Sequence, residues 1–320
     1  MRLSSTTLPL PVGYVWQYHL LLWAQSFHTP VLDKVASYLT YLGTEWFYVL
    51  VLPILFWSVN RTIGLRVAYV FLSSMYVNTW LKDAVSVARP VGLPGVRSLL
   101  VSTGTGYSFP SGHAQGSATF WMLASRSIRR RWFWWLSVVL IAGIGASRLY
   151  LGLHWPVDIL VGWALGLVFG LLGWSVGKWW TYRQYTFAIR LAFAAVVPFL
   201  GILFRSGPAS FEYAAILLGV GVGAVVEERF MKLQMDRAWW KRVCAAIIGI
   251  AGLAALYLLF KWAVFLWVTS TTEPSYTMFA AARDLLMGLW ATIGAPFLFY
   301  LGKHHAQASR SIVVQRELPP

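Results

Sequence analysis

Two histidines, His113 and His154, stand close in sequence to the few charged residues this apolar chain carries outside its connecting loops. His154 and Asp158 have i, i+4 spacing, so the carboxylate can accept a hydrogen bond from one imidazole nitrogen, fixing the tautomer and leaving the other nitrogen free to attack. His113 follows Ser111-Gly112 at the start of an apolar run. A helix opening there presents unpaired N–H groups and the positive end of its dipole, which favours an anion. Lys82 and Arg89 are seven residues apart, close to two helical turns, so a helix continuing through both puts them on one face until Pro90 ends it. Arg148 closes a fourth apolar run. Three fixed cations and a set of helix-start amides suit a dianionic phosphoryl group. Two histidines then supply a nucleophile and a proton donor, and spacing alone leaves open which is which.

Each feature also has an ordinary structural counterpart. Lys82 and Arg89 could be cations snorkelling at a membrane edge, Ser111 a plain helix cap, and His154 a satisfied buried histidine. The phosphate reading outweighs these because Asp158 is an expensive charge inside an apolar segment, and because all the features fall at the same end of successive spans.

The elements that must position these residues are membrane helices. Hydrophobic residues make up 58% of the 320 positions and charged residues 12%, against about 25% charged in soluble domains. The pattern predicts an all-α polytopic membrane protein with nine spans: Ser37–Val59, Gly64–Ser86, Gly112–Ser127, Trp132–Leu149, Trp155–Gly177, Phe187–Phe204, Phe211–Val226, Val243–Val268 and Thr277–Leu301. Val15–Phe27, carrying Trp16, Tyr18, His19 and Trp23, reads as a helix lying in the interface. Met1–Pro11 has no apolar core long enough for a cleaved signal, so the N-terminus is expected to be retained. Every chemical feature precedes Lys178. The expected organisation is therefore an N-terminal segment over 1–36, a catalytic core over 37–205, and accessory helices with a tail over 206–320.

The 26 Lys and Arg against 11 Asp and Glu give a formal charge of +15. Most of the basic residues lie in the loops around Arg61, Arg129–Arg131, Lys178–Arg190, Arg229–Arg242 and the tail, which the positive-inside rule makes cytoplasmic. The excess is orientation, and nucleic-acid binding need not be invoked. Lys82, Arg89, Arg148 and both histidines then emerge on the extracytoplasmic face, with the C-terminus in the cytoplasm. The single cysteine, Cys244, excludes an intramolecular disulfide and a paired-cysteine metal site.

Written as motifs, the residues are Lys82-x6-Arg89-Pro90, Pro110-Ser111-Gly112-His113 and Ser147-Arg148-x5-His154-x3-Asp158. They resemble the three signatures of the type 2 phosphatidic acid phosphatase family, related to vanadium haloperoxidases, in the right order and with every position filled. The resemblance implies a six-helix core and a metal-independent phosphohistidine mechanism. In that mechanism His154 attacks phosphorus, Asp158 orients it, His113 protonates the leaving oxygen, and Lys82, Arg89, Ser111, Gly112 and Arg148 hold the phosphate. No Asp or Glu cluster lies near the site, in keeping with a reaction that needs no metal or other cofactor. Tyr41–Trp57 is also similar to bacterial members and, more weakly, to sphingosine phosphate phosphatases.

The expected substrate is a membrane lipid phosphate, since Trp46, Trp80 and Trp155 suggest a belt that sets the site at headgroup depth. An outward-facing site in an inner membrane suits undecaprenyl pyrophosphate. A lipid phosphotransferase would use the same pocket. A transporter or scramblase is the rival from another class, suggested by Lys261, Arg283 and Asp284 inside apolar spans.

Overall fold

The computed structural model describes residues 11–232, 238–268, 270 and 274–301. The expectations for residues 1–10, for Arg237 in the Arg229–Arg242 loop and for the tail after Leu301 concern positions outside the described residues. Among the described residues all regular structure is helical. The helices are α1 (Val12–Ser26), α2 (Pro30–Tyr41), α3 (Glu45–Ile54), α4 (Arg61–Val85), α5 (Gly112–Ile128), α6 (Arg131–Tyr150), α7 (Pro156–Arg183), α8 (Phe187–Leu203), α9 (Pro208–Phe230), α10 (Trp239–Trp267) and α11 (Pro274–Leu289). Among the described residues five segments are long and apolar enough to cross a bilayer: Arg131–Tyr150, Pro156–Arg183, Pro208–Phe230, Trp239–Trp267 and Pro274–Leu301. A sixth is added if Pro30–Tyr41 and Glu45–Val59 form one broken span.

The expected nine spans are therefore not all distinguished by length and composition. The first is interrupted at Leu42–Thr44 and starts earlier than expected, because Thr29 caps α2 by accepting from Leu32 N–H (3.1 Å) with Pro30 in the first turn. The second, α4, is long enough at 25 residues but carries buried Ser74, Asn78 and Thr79. The third, α5, has only 17 residues. The sixth, α8, is apolar but equally short.

The chain divides into two compact units, residues 1–44 with 81–168, and 45–80 with 169–320. In the first, α5 is the central helix. It buries Ala114, Gln115, Gly116, Ser117, Ala118, Thr119 and Phe120 in succession, so its hydroxyls must be satisfied internally. Ser117 donates to Ala114 O (3.1 Å) and Thr119 to Gln115 O (2.9 Å). α7 approaches so closely that a Cβ on Gly162 would lie 2.7 Å from Ser111 O, and one on Gly166 would lie closer still to Gln115 O. These two glycines set the depth at which α7 meets the start of α5.

α1 exposes Val15, Trp16, Leu20 and Trp23, as an interfacial helix requires. Its inner face is unexpectedly polar. Gln17 accepts from Val157 N–H (3.2 Å), closing the start of α7, and Gln25 donates to Arg97 O (2.7 Å) and Tyr150 O (2.9 Å). Gln25 also accepts from Arg97 N–H (3.0 Å). Those bonds tie the long connection between α4 and α5 to the body, together with the Arg97–Asp33 ion pair and Tyr150 Oη donating to Asp33 Oδ1 (2.6 Å). Beneath it lies a small core of Ala36, Leu151 and Leu153.

In the second unit α9 packs on α11 through Gly219 and on Thr292 and Ile293 just beyond it through Gly223, and Trp57 is buried among Leu253, Met287 and Ala295 with its indole N–H on Ala291 O (2.7 Å). Arg283, within a span, and Arg61, at the loop end of α4, are each paired. Arg283 meets Glu212 (3.1 Å) and Asp284 (2.7 Å), and Arg61 meets Glu227 (2.6 Å), whereas Lys261 is exposed. Partnered charges on neighbouring helices satisfy the burial rule without a transport path.

Replacing Gly166 with Val should force α7 off α5. A loss of about 1–3 kcal/mol is expected for overpacking a tight contact, read as an earlier thermal midpoint of the detergent-solubilised protein. An unchanged midpoint would contradict the close α5–α7 contact.

Candidate active site

The connection between α6 and α7 delivers His154. Arg148 O accepts from Leu153 N–H (3.1 Å), and the turn passes through Gly152 at φ +69°, where a Cβ would lie 2.6 Å from Arg97 O. Pro156 opens α7, as its fixed φ suits. Asp158 sits in the first turn, and its Oδ2 takes the Trp155 N–H (2.9 Å), the Ser108 hydroxyl and His154 Nδ1 (3.3 Å). His154 and Asp158 are 1% and 2% exposed, so each polar atom needs a partner.

Nε2 of His154 meets Arg89 Nη1 at 2.8 Å. A guanidinium can only donate, so Nε2 is the acceptor and the imidazole proton resides on Nδ1, towards Asp158. His154 and Asp158 thus meet as their spacing allows, with the free lone pair on Nε2 directed at a cation.

The three cations are gathered by main-chain oxygens of one short stretch. Lys82 Nζ donates to Tyr107 O (2.7 Å) and Ser108 O (3.3 Å). Arg89 donates to Thr105 O (2.8 Å), Gly106 O (2.9 Å), Tyr107 O (3.2 Å) and Leu153 O (2.8 Å). Arg148, fully buried, donates to Thr103 O (3.1 Å), Thr103 Oγ1 (2.9 Å) and Thr40 Oγ1 (2.6 Å). Gly104 lies between the two guanidinium groups, 3.3 Å from a nitrogen of each at its missing Cβ.

One expectation needs correction here. α4 ends at Val85, with Ser86 in the left-handed region at φ +54°, so Arg89 does not share a helical face with Lys82. Arg89 reaches the site from an extended connection, held by Trp155 Nε1–H on Ala88 O (2.9 Å). That bond also removes Trp155 from the expected interfacial belt: it is 3% exposed, whereas Trp46 and Trp80 are exposed.

Ser111 caps α5, its Oγ accepting from Ala114 N–H (3.5 Å), and its own N–H is taken by Asp158 O (3.0 Å). Gly112 and His113 follow in the first turn. His113 Nε2 is buried without a hydrogen-bond partner. Its ring packs on Gly43, whose missing Cβ would come 2.9 Å from His113 Cδ2 and 2.7 Å from Ile144. The sequence reading missed Thr40, Thr103 and Ser108. The similarity over Tyr41–Trp57 brushed against this region, but only the folded chain brings Thr40 and Gly43 to Arg148 and His113.

Residues 63–182 match the family model described as the PAP2 superfamily, and residues 211–307 match that of the PAP2 superfamily phosphatase transmembrane extension. Over 250 residues, 70% of this chain and 59% of the relative, it is 29% identical to dihydrosphingosine 1-phosphate phosphatase C823.11 of Schizosaccharomyces pombe. Over 140 residues, 42% of this chain and 66% of the relative, it is 29% identical to undecaprenyl-diphosphatase of Sulfolobus acidocaldarius. The chain thus spans less than two thirds of the length of either relative. The crystal structure of a transmembrane PAP2 type phosphatidylglycerolphosphate phosphatase from Bacillus subtilis is 23% identical, with 56% of this chain and 90% of that one covered and a TM-score of 0.46.

Burial, then the charges of Arg89, Lys82 and Arg148, and finally His113, hold His154 well below the ordinary histidine value of 6.5. A lowered value means that the neutral form persists as pH falls, so the lone pair on Nε2 is retained through the physiological range. Burial also pulls Arg89 down to about 10, leaving it charged at neutral pH. Nuclear magnetic resonance of ¹⁵N-histidine protein should find His154 as the Nδ1–H tautomer, with a protonation midpoint well below 6.5. A midpoint at or above 6.5, or the opposite tautomer, would contradict this electrostatic arrangement.

Proposed function

The chain belongs to the PAP2 superfamily, and on that premise we propose that it is a multi-pass membrane phosphatase that hydrolyses a lipid phosphate through His154. The observation that carries the reading is the His154 imidazole, its proton held on Nδ1 towards Asp158 and its Nε2 lone pair directed at Arg89. An incoming phosphoryl group takes over the guanidinium through its anionic oxygens, which frees Nε2 to attack phosphorus. Lys82, Arg89 and Arg148 neutralise charge on the equatorial oxygens, assisted by Ser111 and the amides at the start of α5.

As the phosphorus–oxygen bond breaks, the leaving alkoxide or phosphate takes a proton from His113 in its imidazolium form, which the entering phosphoryl dianion favours and whose Nε2 is otherwise unpartnered. Water then attacks the phosphohistidine and gives its proton to His113, releasing inorganic phosphate and restoring neutral His154. Asp158 stabilises the positive imidazole during both steps. Cations and histidines supply the charge neutralisation and proton transfer, so turnover should persist in excess chelator.

The substrate class is a membrane lipid phosphate, with undecaprenyl diphosphate the favoured member. Relatives named for that lipid and for dihydrosphingosine 1-phosphate support the class. The family matches over 63–182 and 211–307 support the division into a catalytic core over 37–205 and accessory helices over 206–320. The basic loops favour an extracytoplasmic site and a cytoplasmic C-terminus.

His154→Ala should lower phosphate release by on the order of 10³-fold or more while the protein remains inserted and folded. His113→Ala should cost about 10²–10⁴-fold on lipids with alkoxide leaving groups and less on substrates with good ones. Substantial turnover by His154→Ala would overturn the nucleophile assignment. For orientation, exposed Cys244 is first replaced by Ala. A cysteine at Val101 should then react with an impermeant thiol reagent in intact cells and one at Arg130 should not; the reverse pattern would invert the topology.

A further inference from the structure

We infer that Ser108 is a positioning residue for the nucleophile, coupling the Asp158 carboxylate to the His154 imidazole; this rests on the phosphoryl-transfer reading above. Ser108 lies outside the motif residues, three positions before Ser111 with Phe109 and Pro110 between them, and it is fully buried. Three bonds fix it. Its N–H donates to Val87 O (2.7 Å), its carbonyl accepts from Lys82 Nζ (3.3 Å), and its hydroxyl donates to Asp158 Oδ2.

A hydroxyl has one proton to give and two lone pairs to receive. With that proton committed to Asp158, the Ser108 oxygen faces His154 Nδ1 at 3.3 Å as an acceptor. The Nδ1–H proton therefore has two acceptors at equal distance, the Ser108 oxygen and Asp158 Oδ2. When phosphorus bonds to Nε2 the imidazole becomes positive, the Nδ1–H proton stays in place, and both oxygens stabilise the charge. No proton passes to Asp158. The Ser108 hydroxyl also fixes the rotation of the carboxylate, since Oδ2 alone carries the bonds from Ser108, Trp155 and His154.

The same residue links the two halves of the site. Its carbonyl helps hold Lys82, which contacts phosphate, and its hydroxyl holds the group that orients the nucleophile. Removing the hydroxyl leaves Asp158 with the Trp155 N–H, so the dyad should be weakened, not abolished. A hydrogen bond to a charged group is worth roughly one to two powers of ten in rate when it acts on the transition state.

The test compares Ser108→Ala and Ser108→Cys with the full-length wild type in detergent micelles, using dihydrosphingosine 1-phosphate and undecaprenyl diphosphate as probes and His154→Ala as control. Cysteine fills the serine volume but donates weakly. Both variants should lose about 10- to 100-fold in kcat with KM within about twofold of wild type. Wild-type kcat in Ser108→Ala, or restoration by Ser108→Cys, would reduce Ser108 to packing and overturn the inference while leaving the His154 reading intact. If wild type releases phosphate from neither lipid, or His154→Ala matches wild type, the underlying reading fails and this inference falls with it.

Discussion

Three positive side chains crowd around one neutral imidazole in a site from which water is largely excluded, and the first unit is organised to make that tolerable. Mutual repulsion among Lys82, Arg89 and Arg148 is strongest where the dielectric is low. The chain offsets it with carbonyl oxygens of Thr103, Thr105, Gly106, Tyr107 and Ser108, with the threonine hydroxyls of residues 40 and 103, and, for Lys82 and Arg89, with the carboxylate of Asp158. Dipoles satisfy hydrogen-bond donors without cancelling full charge. The site therefore keeps a net positive character, which in the proposed mechanism an entering phosphoryl group neutralises, while burial and the same field hold His154 well below the ordinary histidine value.

Much of the remaining architecture serves that arrangement. The connection from Ser86 to Ser111 must hold its carbonyls in place although it contains little regular structure, and it is pinned by Gln25 of α1, by Asp33 of α2, itself held by Tyr150, and by Trp155 just before α7. Close approach of α7 to α5 through Gly162 and Gly166 brings the Asp158 carbonyl onto the N–H of Ser111. The Asp158 end of α7 and the Ser111 end of α5 are thereby locked to one another. Gly43 admits His113 beside them where any side chain would collide.

The chemistry of the site was more legible in the sequence than the helices that carry it. His154, Asp158, His113, Ser111, Arg148, Lys82 and Arg89 were readable because ionisable residues are rare in apolar segments and these recur at short, fixed spacings. Helical periodicity was a poor guide to Arg89, since an extended connection after Val85 reaches the same place as a continued helix. Length and apolarity alone do not mark α4 and α5 as spans for a related reason: each buries polar residues among other helices, Ser74, Asn78 and Thr79 in α4 and Gln115, Ser117 and Thr119 in α5. Trp155 read as an interfacial aromatic because composition cannot distinguish an indole facing headgroups from one donating to Ala88 O. Thr40, Gly43 and Thr103 carry no local signal, because their roles exist only across long sequence separations.

The central claim is that phosphorus becomes bonded to His154 during turnover. Rapid mixing of the solubilised protein with lipid carrying a ³²P-labelled phosphoryl group, followed by alkaline denaturation to preserve an acid-labile phosphorus–nitrogen bond, would capture that species. The account predicts one labelled peptide, containing residues 149–155, with label on the His154 ring, and none in His154→Ala. Label on His113, on a carboxylate, or its absence from wild type during rapid phosphate release would contradict a phosphohistidine at this position.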